Sequence, residues 1–246
     1  MTPPDRVAPG EPTASERHLH LVGGAALENT ARKPVEHLER TLNLAIAVTL
    51  LVLTFPVWLV IALVIKLTSR GPVFYNQVRV GIDTRAGSSI AQDPRRKVDL
   101  GGRPFTIYKF RTMAVDAEHS SGPVWATRAD PRVTPVGRVL RSLRLDELPQ
   151  LINVIRGDMN LVGPRPERPT FVVELRREIP EYTRRNRVKP GLTGLAQVNL
   201  EYDSCVDTVR AKLEYDLEYI RRQSLLEDLK IMLKTVPVIL FRKGGW

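Results

Sequence analysis

The chain has 246 residues, with 37 Lys plus Arg against 27 Asp plus Glu and a net charge of +10, a length that holds one or two domains. Apolar residues make up 43% and charged residues 26%, which excludes a wholly disordered chain, and the single cysteine, Cys205, excludes an internal disulfide framework and a cysteine-cluster metal site. The excess of positive charge points to an anionic partner, whether nucleic acid, anionic lipid or a phosphorylated metabolite, and does not choose among them.

Residues 1–37 carry Pro3, Pro4, Pro34, Gly10, Gly23 and Gly24 with scattered charges and no apolar period, and read as a disordered arm that opens on no signal peptide. The arm also holds His18, His20 and His37; only His119 lies deeper in the chain. Histidine chemistry is therefore poorly supplied, and carboxylates must carry acid, base or nucleophilic work. A membrane element is predicted over 38–67. The 24 residues from Leu42 to Ile65 contain no charge and are long enough to cross a hydrocarbon core of roughly 30 Å. Pro56 lies near the middle, where a proline removes a helical hydrogen bond and clashes with the preceding turn. Arg32, Lys33 and Arg40 precede the segment, and Lys66, Arg70 and Arg79 follow it. Such balanced flanks leave two readings, a kinked spanning helix or a re-entrant hairpin that turns at Pro56 with both ends on one face. Thr54 can reach back to a carbonyl freed at the break.

The remainder, 68–246, reads as one catalytic body of the α+β class, mostly helical, with a small β-hairpin. Ser69-Arg70-Gly71-Pro72 is a turn, and VFYNQVRVG and PFTIYKFRTM are β-prone runs. The polar, Gly-rich stretch 83–103 between them is too long for an ordinary hairpin loop and reads as a flexible insertion. Beyond Thr134, Val136, Val139, Leu140 and Leu143 share one helical face, with Arg138, Arg141 and Arg144 beside it. Asp207 to Arg222 has helical spacing, and Ser224-Leu-Leu-Glu227 is a capping box that opens a last helix. That helix, interrupted by Pro237, reads either as a core helix or as an interfacial amphipathic one.

Three clusters carry chemistry. In Arg141-Ser-Leu-Arg144-Leu-Asp146-Glu147-Leu-Pro149, the proline suits the first turn of a new helix and places Asp146 and Glu147 at a helix junction. Two carboxylates with two arginines offer a nucleophile, a ligand for a hard cation and phosphate clamps together. Gly157-Asp158-Met-Asn160-Leu-Val-Gly163-Pro164-Arg165-Pro166-Glu167 is a rigid Pro/Gly loop around a central cation, and Arg184-Arg185-Asn186-Arg187-Val-Lys189-Pro190-Gly191-Leu-Thr193-Gly194 packs four cations before a Gly-rich turn. No Walker loop, dinucleotide glycine signature or nucleophile elbow is present.

These residues resemble a known family. RSLRLDELPQLINVIRGDMNLVGPRPERP, with KFRTM before it and RVKPGLTGLAQV after it, is similar to the bacterial sugar transferases, the monotopic polyprenyl-phosphate phosphoglycosyl transferases, over about residues 38–244. The resemblance implies transfer of a sugar-1-phosphate from a UDP-sugar to polyprenyl (undecaprenyl) phosphate, with Mg2+, on the cytoplasmic face of the bacterial inner membrane. It implies a re-entrant helix broken at Pro56, accompanied by interfacial helices. It also implies that Asp146 is the nucleophile, Glu147 its partner and fellow metal ligand, and Arg141 a phosphate contact. Lys109, Arg111, Arg144, Arg165 and Glu167 are then expected around the substrate. The chain departs from the family pattern at Phe55, where a serine often precedes the proline, and in the long 83–103 insertion. With no multi-span region ahead of the apolar helix, it resembles the small, minimal form. The motifs do not carry the identity of the sugar, the glycan pathway or the oligomeric state. Two other classes compete: a non-catalytic membrane scaffold for glycan enzymes, and a membrane-anchored nucleic-acid binder. The second is not expected, because aromatic residues are only 6% of the chain and stacking platforms need them.

Overall fold

The computed structural model describes residues 33–84, 99–117, 122, 130–200 and 206–241. The N-terminal arm up to residue 32, the 85–98 part of the insertion, His119 and Cys205 lie outside the described residues.

Helix α1 runs from Lys33 to Thr68, and its apolar section is the one helix among the described residues that is long and apolar enough to cross a membrane. No non-helical residue interrupts it at Pro56. The carbonyl that Pro56 deprives of its usual donor belongs to Val52, four residues back. Thr54 does not serve it, because its hydroxyl donates to the Leu50 carbonyl at 2.7 Å. Both flanks of α1 are anchored to the same body. On the N-terminal side Arg40 donates to the carbonyls of Val154 and Ile155, at 2.6 Å each, and the Asn43 side-chain oxygen accepts from the Leu161 amide at 2.6 Å. On the C-terminal side Trp58, Ile61 and Ile65 are buried against Phe110 and Leu140. Between these anchors Val52, Leu53, Phe55 and Val57 are exposed.

The predicted β-hairpin is present: β1 (Phe74–Val80) pairs antiparallel with β2 (Pro104–Phe110), from Phe74 opposite Phe110 to Val80 opposite Pro104. The ladder extends past the strand ends, where Gly81 donates to the Arg103 carbonyl and Arg103 to that of Ile82. Helix α2 (Pro135–Ser142) follows, capped by Thr134, whose hydroxyl accepts from the Gly137 amide at 2.9 Å. A three-residue 3-10 turn, Leu145–Glu147, links it to α3 (Gln150–Arg156).

The Pro/Gly clusters, expected to be a loop and a turn, hold two short strands. β3 (Asn160–Val162) and β4 (Gly191–Thr193) pair in parallel, and α4 (Pro169–Glu178) and the 3-10 segment Pro180–Arg187 form the crossover between them. The strands approach so closely beyond Val162 that a Cβ on Gly191 would lie 2.1 Å from the Gly163 nitrogen. Only glycine fits there. Helix α5 (Leu195–Asn199), α6 (Val206–Arg222) and α7 (Leu225–Phe241) complete the chain. The Ser224 hydroxyl accepts from the Glu227 amide at 3.3 Å, which is the cap expected for α7.

A central core joins Ala47 of α1, Ile107 of β2, Leu151 and Val154 of α3, Leu161 and Val162 of β3, Tyr219 of α6 and Ile231 of α7. A second core lies between β1, α4 and α6, and a third ties the C-terminal half of α1 to β2 and α2. Helix α7 has one apolar side in the core and another in the open. Ile231 is buried in the core, while Leu226, Leu229, Leu233, Val236 and Leu240 are exposed at the three- and four-residue steps of one helical stripe.

Candidate active site

The Asp146-Glu147 pair owes its position to an abrupt stop of α2. After Leu143 the chain turns through Arg144, a non-glycine residue in the left-handed region at φ 57° and ψ 15°, a conformation that costs about 1–2 kcal/mol. The following turn is held by Glu147 donating to the Arg144 carbonyl and Leu148 to that of Leu145, and Pro149 then opens α3. The result is a pair of adjacent carboxylates that are 6% and 7% exposed.

Their environments differ. Glu147 is clamped by cations: Lys109 of β2 donates to its Oε1 at 3.0 Å, and Arg165 grips both oxygens, at 2.5 and 3.3 Å. Arg144 approaches to 4.0 Å. Burial pushes the Glu147 carboxyl up, but Arg165 and Lys109 outweigh it and hold the group well below the usual glutamate range. Asp146 has no hydrogen bond or ion pair among the described residues. Burial raises its pKa, the Glu147 charge adds to that, and Lys109 and Arg141 oppose without reversing it. One carboxylate is thus fixed and neutralised by its partners, and the other is desolvated and uncommitted, the separation that assigns different roles to neighbouring carboxylates.

Arg141 stands beside the pair, its Nε donating to the Thr112 hydroxyl at 2.9 Å. Thr112 is buried, and its carbonyl accepts from the Thr134 amide at 3.0 Å, so the cap of α2 and the anchor of Arg141 share one residue. Lys109, Arg141, Arg144 and Arg165 are therefore brought together around the carboxylates. Arg111 is not. Its buried guanidinium turns to the end of α1 and donates to the carbonyls of Arg70 at 2.5 Å and Ser69 at 2.9 Å. Glu167 also stands apart from Glu147, in a second buried ion cluster. Lys212 donates to it at 2.8 Å, and Arg79 and Arg185 lie at 3.6 and 3.9 Å. Burial pushes Glu167 up, but Lys212, Arg185 and Arg79 bring it down to about 2. Thr112, Arg79, Lys212 and the Arg185–Asp216 pair were not singled out as site residues from sequence. Arg79 is visible in the sequence only as a charge flanking the apolar segment, Arg185 as a member of a basic run and Asp216 as one acid on a helix.

No group of three or more His, Cys, Asp or Glu gathers as a metal site among the described residues. Mg2+ usually needs only one or two carboxylates, with substrate phosphates and waters completing its shell. Asp146 fits that requirement with two uncommitted oxygens, whereas both Glu147 oxygens already accept from cations.

Comparison with known proteins gives a consistent family. The UDP-N-acetylgalactosamine-undecaprenyl-phosphate N-acetylgalactosaminephosphotransferase of Aeromonas hydrophila is 43% identical over 208 residues, 85% of this chain and 45% of that protein. The UDP-glucose:undecaprenyl-phosphate glucose-1-phosphate transferase of Caulobacter vibrioides is 43% identical over 228 residues, 92% of this chain and 77% of its own. The Escherichia coli protein of the same name is 41% identical over 202 residues, 81% of this chain but only 39% of its own. The chain therefore spans less than half of two of these relatives and most of the third. The bacterial sugar transferase profile matches residues 35–242, a range that contains all but the first two residues of α1, the carboxylate pair and every cation around it, and the chain accordingly belongs to the bacterial sugar transferase family.

Proposed function

We propose that the protein transfers a sugar-1-phosphate from a UDP-sugar to undecaprenyl phosphate, through a covalent phosphosugar on Asp146, as the first membrane step in assembling a lipid-linked glycan. The observation that carries this reading is the contrast within the pair: a desolvated carboxylate with no hydrogen bond or ion pair among the described residues, near cations suited to a diphosphate. Relatives at similar identity are named for N-acetylgalactosamine and for glucose, so the identity of the sugar stays open.

In this reading Asp146 attacks the sugar-bearing phosphorus of the donor. The bond from that phosphorus to the bridging oxygen breaks, and UMP leaves. Arg141 and Arg165 supply positive charge where it develops on the phosphoryl oxygens and the leaving group, fixed in place before the reaction by Thr112 and Glu147. An oxygen of undecaprenyl phosphate then attacks the same phosphorus, the acyl-phosphate bond breaks, and the Asp146 carboxylate is regenerated. Mg2+, held by Asp146 with the donor phosphates, would supply further charge neutralisation. A scaffold or a nucleic-acid binder would leave the desolvation of Asp146 without a purpose.

The membrane placement belongs to the same proposal. Straight, α1 would extend roughly 54 Å, yet residues near both of its ends are anchored to one body while Val52 to Val57 stand clear. That arrangement supports a re-entrant helix with its apex around Pro56, and a catalytic body on the cytoplasmic face of the inner membrane. The exposed stripe of α7 adds an apolar surface for the same lipid interface.

The test is a half-reaction. Protein mixed with a UDP-sugar panel and Mg2+, without lipid acceptor, should release UMP up to one equivalent and gain the mass of a phosphosugar at Asp146, and Asp146→Asn should do neither. Strict dependence of UMP release on the acceptor would overturn the covalent route. No turnover of any UDP-sugar even with undecaprenyl phosphate present would overturn the function.

A further inference from the structure

The Pro164-Arg165-Pro166-Glu167 loop is held at every carbonyl. Pro164 accepts from the Gly191 amide at 3.0 Å, and Glu167 from the Val80 amide at 2.9 Å. The two inner carbonyls are held by guanidiniums: Arg185 Nη2 donates to Arg165 at 2.8 Å, and Arg79 Nη1 to Pro166 at 3.0 Å. Arg185 is itself buried and paired. Its Nε donates to Asp216 at 2.8 Å and its Nη1 to the Tyr182 hydroxyl at 2.8 Å, and the Arg185 and Asp216 side chains are each 2% exposed. Burial opposes the charge on Arg185, yet Asp216, Tyr182 and Glu167 hold it above its ordinary value. Among the described residues, neither Arg185 nor Asp216 has a hydrogen bond or ion pair to Asp146 or Glu147.

A buried ion pair is a poor source of stability, since desolvation offsets most of the attraction and an apolar pair of the same volume often does as well. What this pair provides is geometry. Its planar guanidinium meets three acceptors in fixed directions, one of them the backbone of the residue whose side chain clamps Glu147. We infer that Asp216 and Arg185 form a positioning unit for Arg165, setting the backbone of the Pro-Arg-Pro loop so that the Arg165 guanidinium stands between Glu147 and the donor phosphates. The inference rests on the proposed transferase reading for the task it gives to Arg165. It adds two residues from α6 and the crossover to the catalytic apparatus, at a distance from the reacting atoms.

The test is a double-mutant cycle on turnover of a UDP-sugar with undecaprenyl phosphate, measured in detergent at 25 °C. Arg185→Lys keeps the charge beside Asp216 but cannot reach all three acceptors. In the otherwise unaltered protein it should lower kcat about 10- to 100-fold, the scale expected when a reacting group is misplaced by about 1 Å. In an Arg165→Ala background, where nothing remains to be positioned, the further loss should shrink to about twofold or less. Asp216→Asn should follow the same pattern. If Arg185→Lys does not fold, Arg79→Lys tests the loop from its other carbonyl in the same cycle. Equal losses in both backgrounds would overturn the inference, because a general structural defect does not depend on Arg165. Full activity of Arg165→Ala would also overturn it, while leaving the role of Asp146 intact. Absence of turnover by the unaltered protein would instead overturn the transferase reading, and this inference with it.

Discussion

Neutralising Asp146 and Glu147 one at a time should separate chemistry from stability. Glu147→Gln keeps the shape of the side chain but removes the charge that Lys109 and Arg165 meet at 3.0 and 2.5 Å. Two cations are then left partly buried beside a neutral amide. Removing one partner of a buried pair costs about 3–5 kcal/mol. Lys109 and Arg165 retain some exposure, with side chains 17% and 22% accessible, which places the loss near the lower figure, about 3 kcal/mol. For a chain of this size that corresponds to a fall of roughly 6–12 °C in the thermal midpoint. Asp146→Asn removes a carboxylate that has no hydrogen-bond partner among the described residues and whose pKa is raised chiefly by burial. An acid with a raised folded pKa stabilises the protein fully only below its unfolded pKa, and that contribution is lost as pH rises through the folded value. At neutral pH the Asp146 charge is therefore a net cost, and the asparagine should leave the thermal midpoint unchanged or raise it. UMP release should vanish in Asp146→Asn and fall in Glu147→Gln. Thermal unfolding in one detergent at pH 7.5, set beside the UMP assay, reads both quantities. A midpoint that drops as far for Asp146→Asn as for Glu147→Gln would refute the assignment of one uncommitted and one clamped carboxylate.

The acid limb of the pH–rate profile for UMP release should lie above the ordinary aspartate value of 3.8, because Asp146 must ionise against its burial. Lys109→Met removes a cation that lowers the Asp146 pKa and should move the limb up, whereas Glu147→Gln removes a charge that raises it and should move the limb down; parallel movement would count against the assignment. Gly137→Ala should destabilise the protein by about 1–3 kcal/mol, since the new Cβ would lie 2.0 Å from the Thr112 carbonyl, and it should slow turnover by disturbing the anchor of Arg141; an unchanged thermal midpoint would show that α2 can shift freely. Tags at residues 20 and 246 should both be shielded from labels applied outside intact cells, and Pro56→Ala should shift some molecules to a spanning topology. Labelling of one tag alone in the unaltered protein would refute the re-entrant arrangement.

Local rules made part of this protein legible. An uncharged run of helical length, the proline at 149 and the serine at 224 each act within a few residues, so the apolar helix, the junction carrying Asp146 and Glu147, and the cap of α7 could be read along the chain. Lys109 and Arg111 show where such reading stops. Two residues apart in a β-prone run, they would share a face of one strand, but β2 ends at Phe110. Lys109 therefore meets Glu147 while Arg111 closes the end of α1. The three-residue strands β3 and β4 are too short to show a period, and they exist because the crossover returns Gly191 to the side of Asn160. The Arg185–Asp216 pair joins residues 31 apart, and nothing local marks that arginine among its neighbours. By itself, then, the sequence determined which chemical groups the protein holds and the elements that carry them. Which carboxylate is clamped and which is left open was decided by tertiary structure, because charge pairing and desolvation depend on distances between segments remote in the chain.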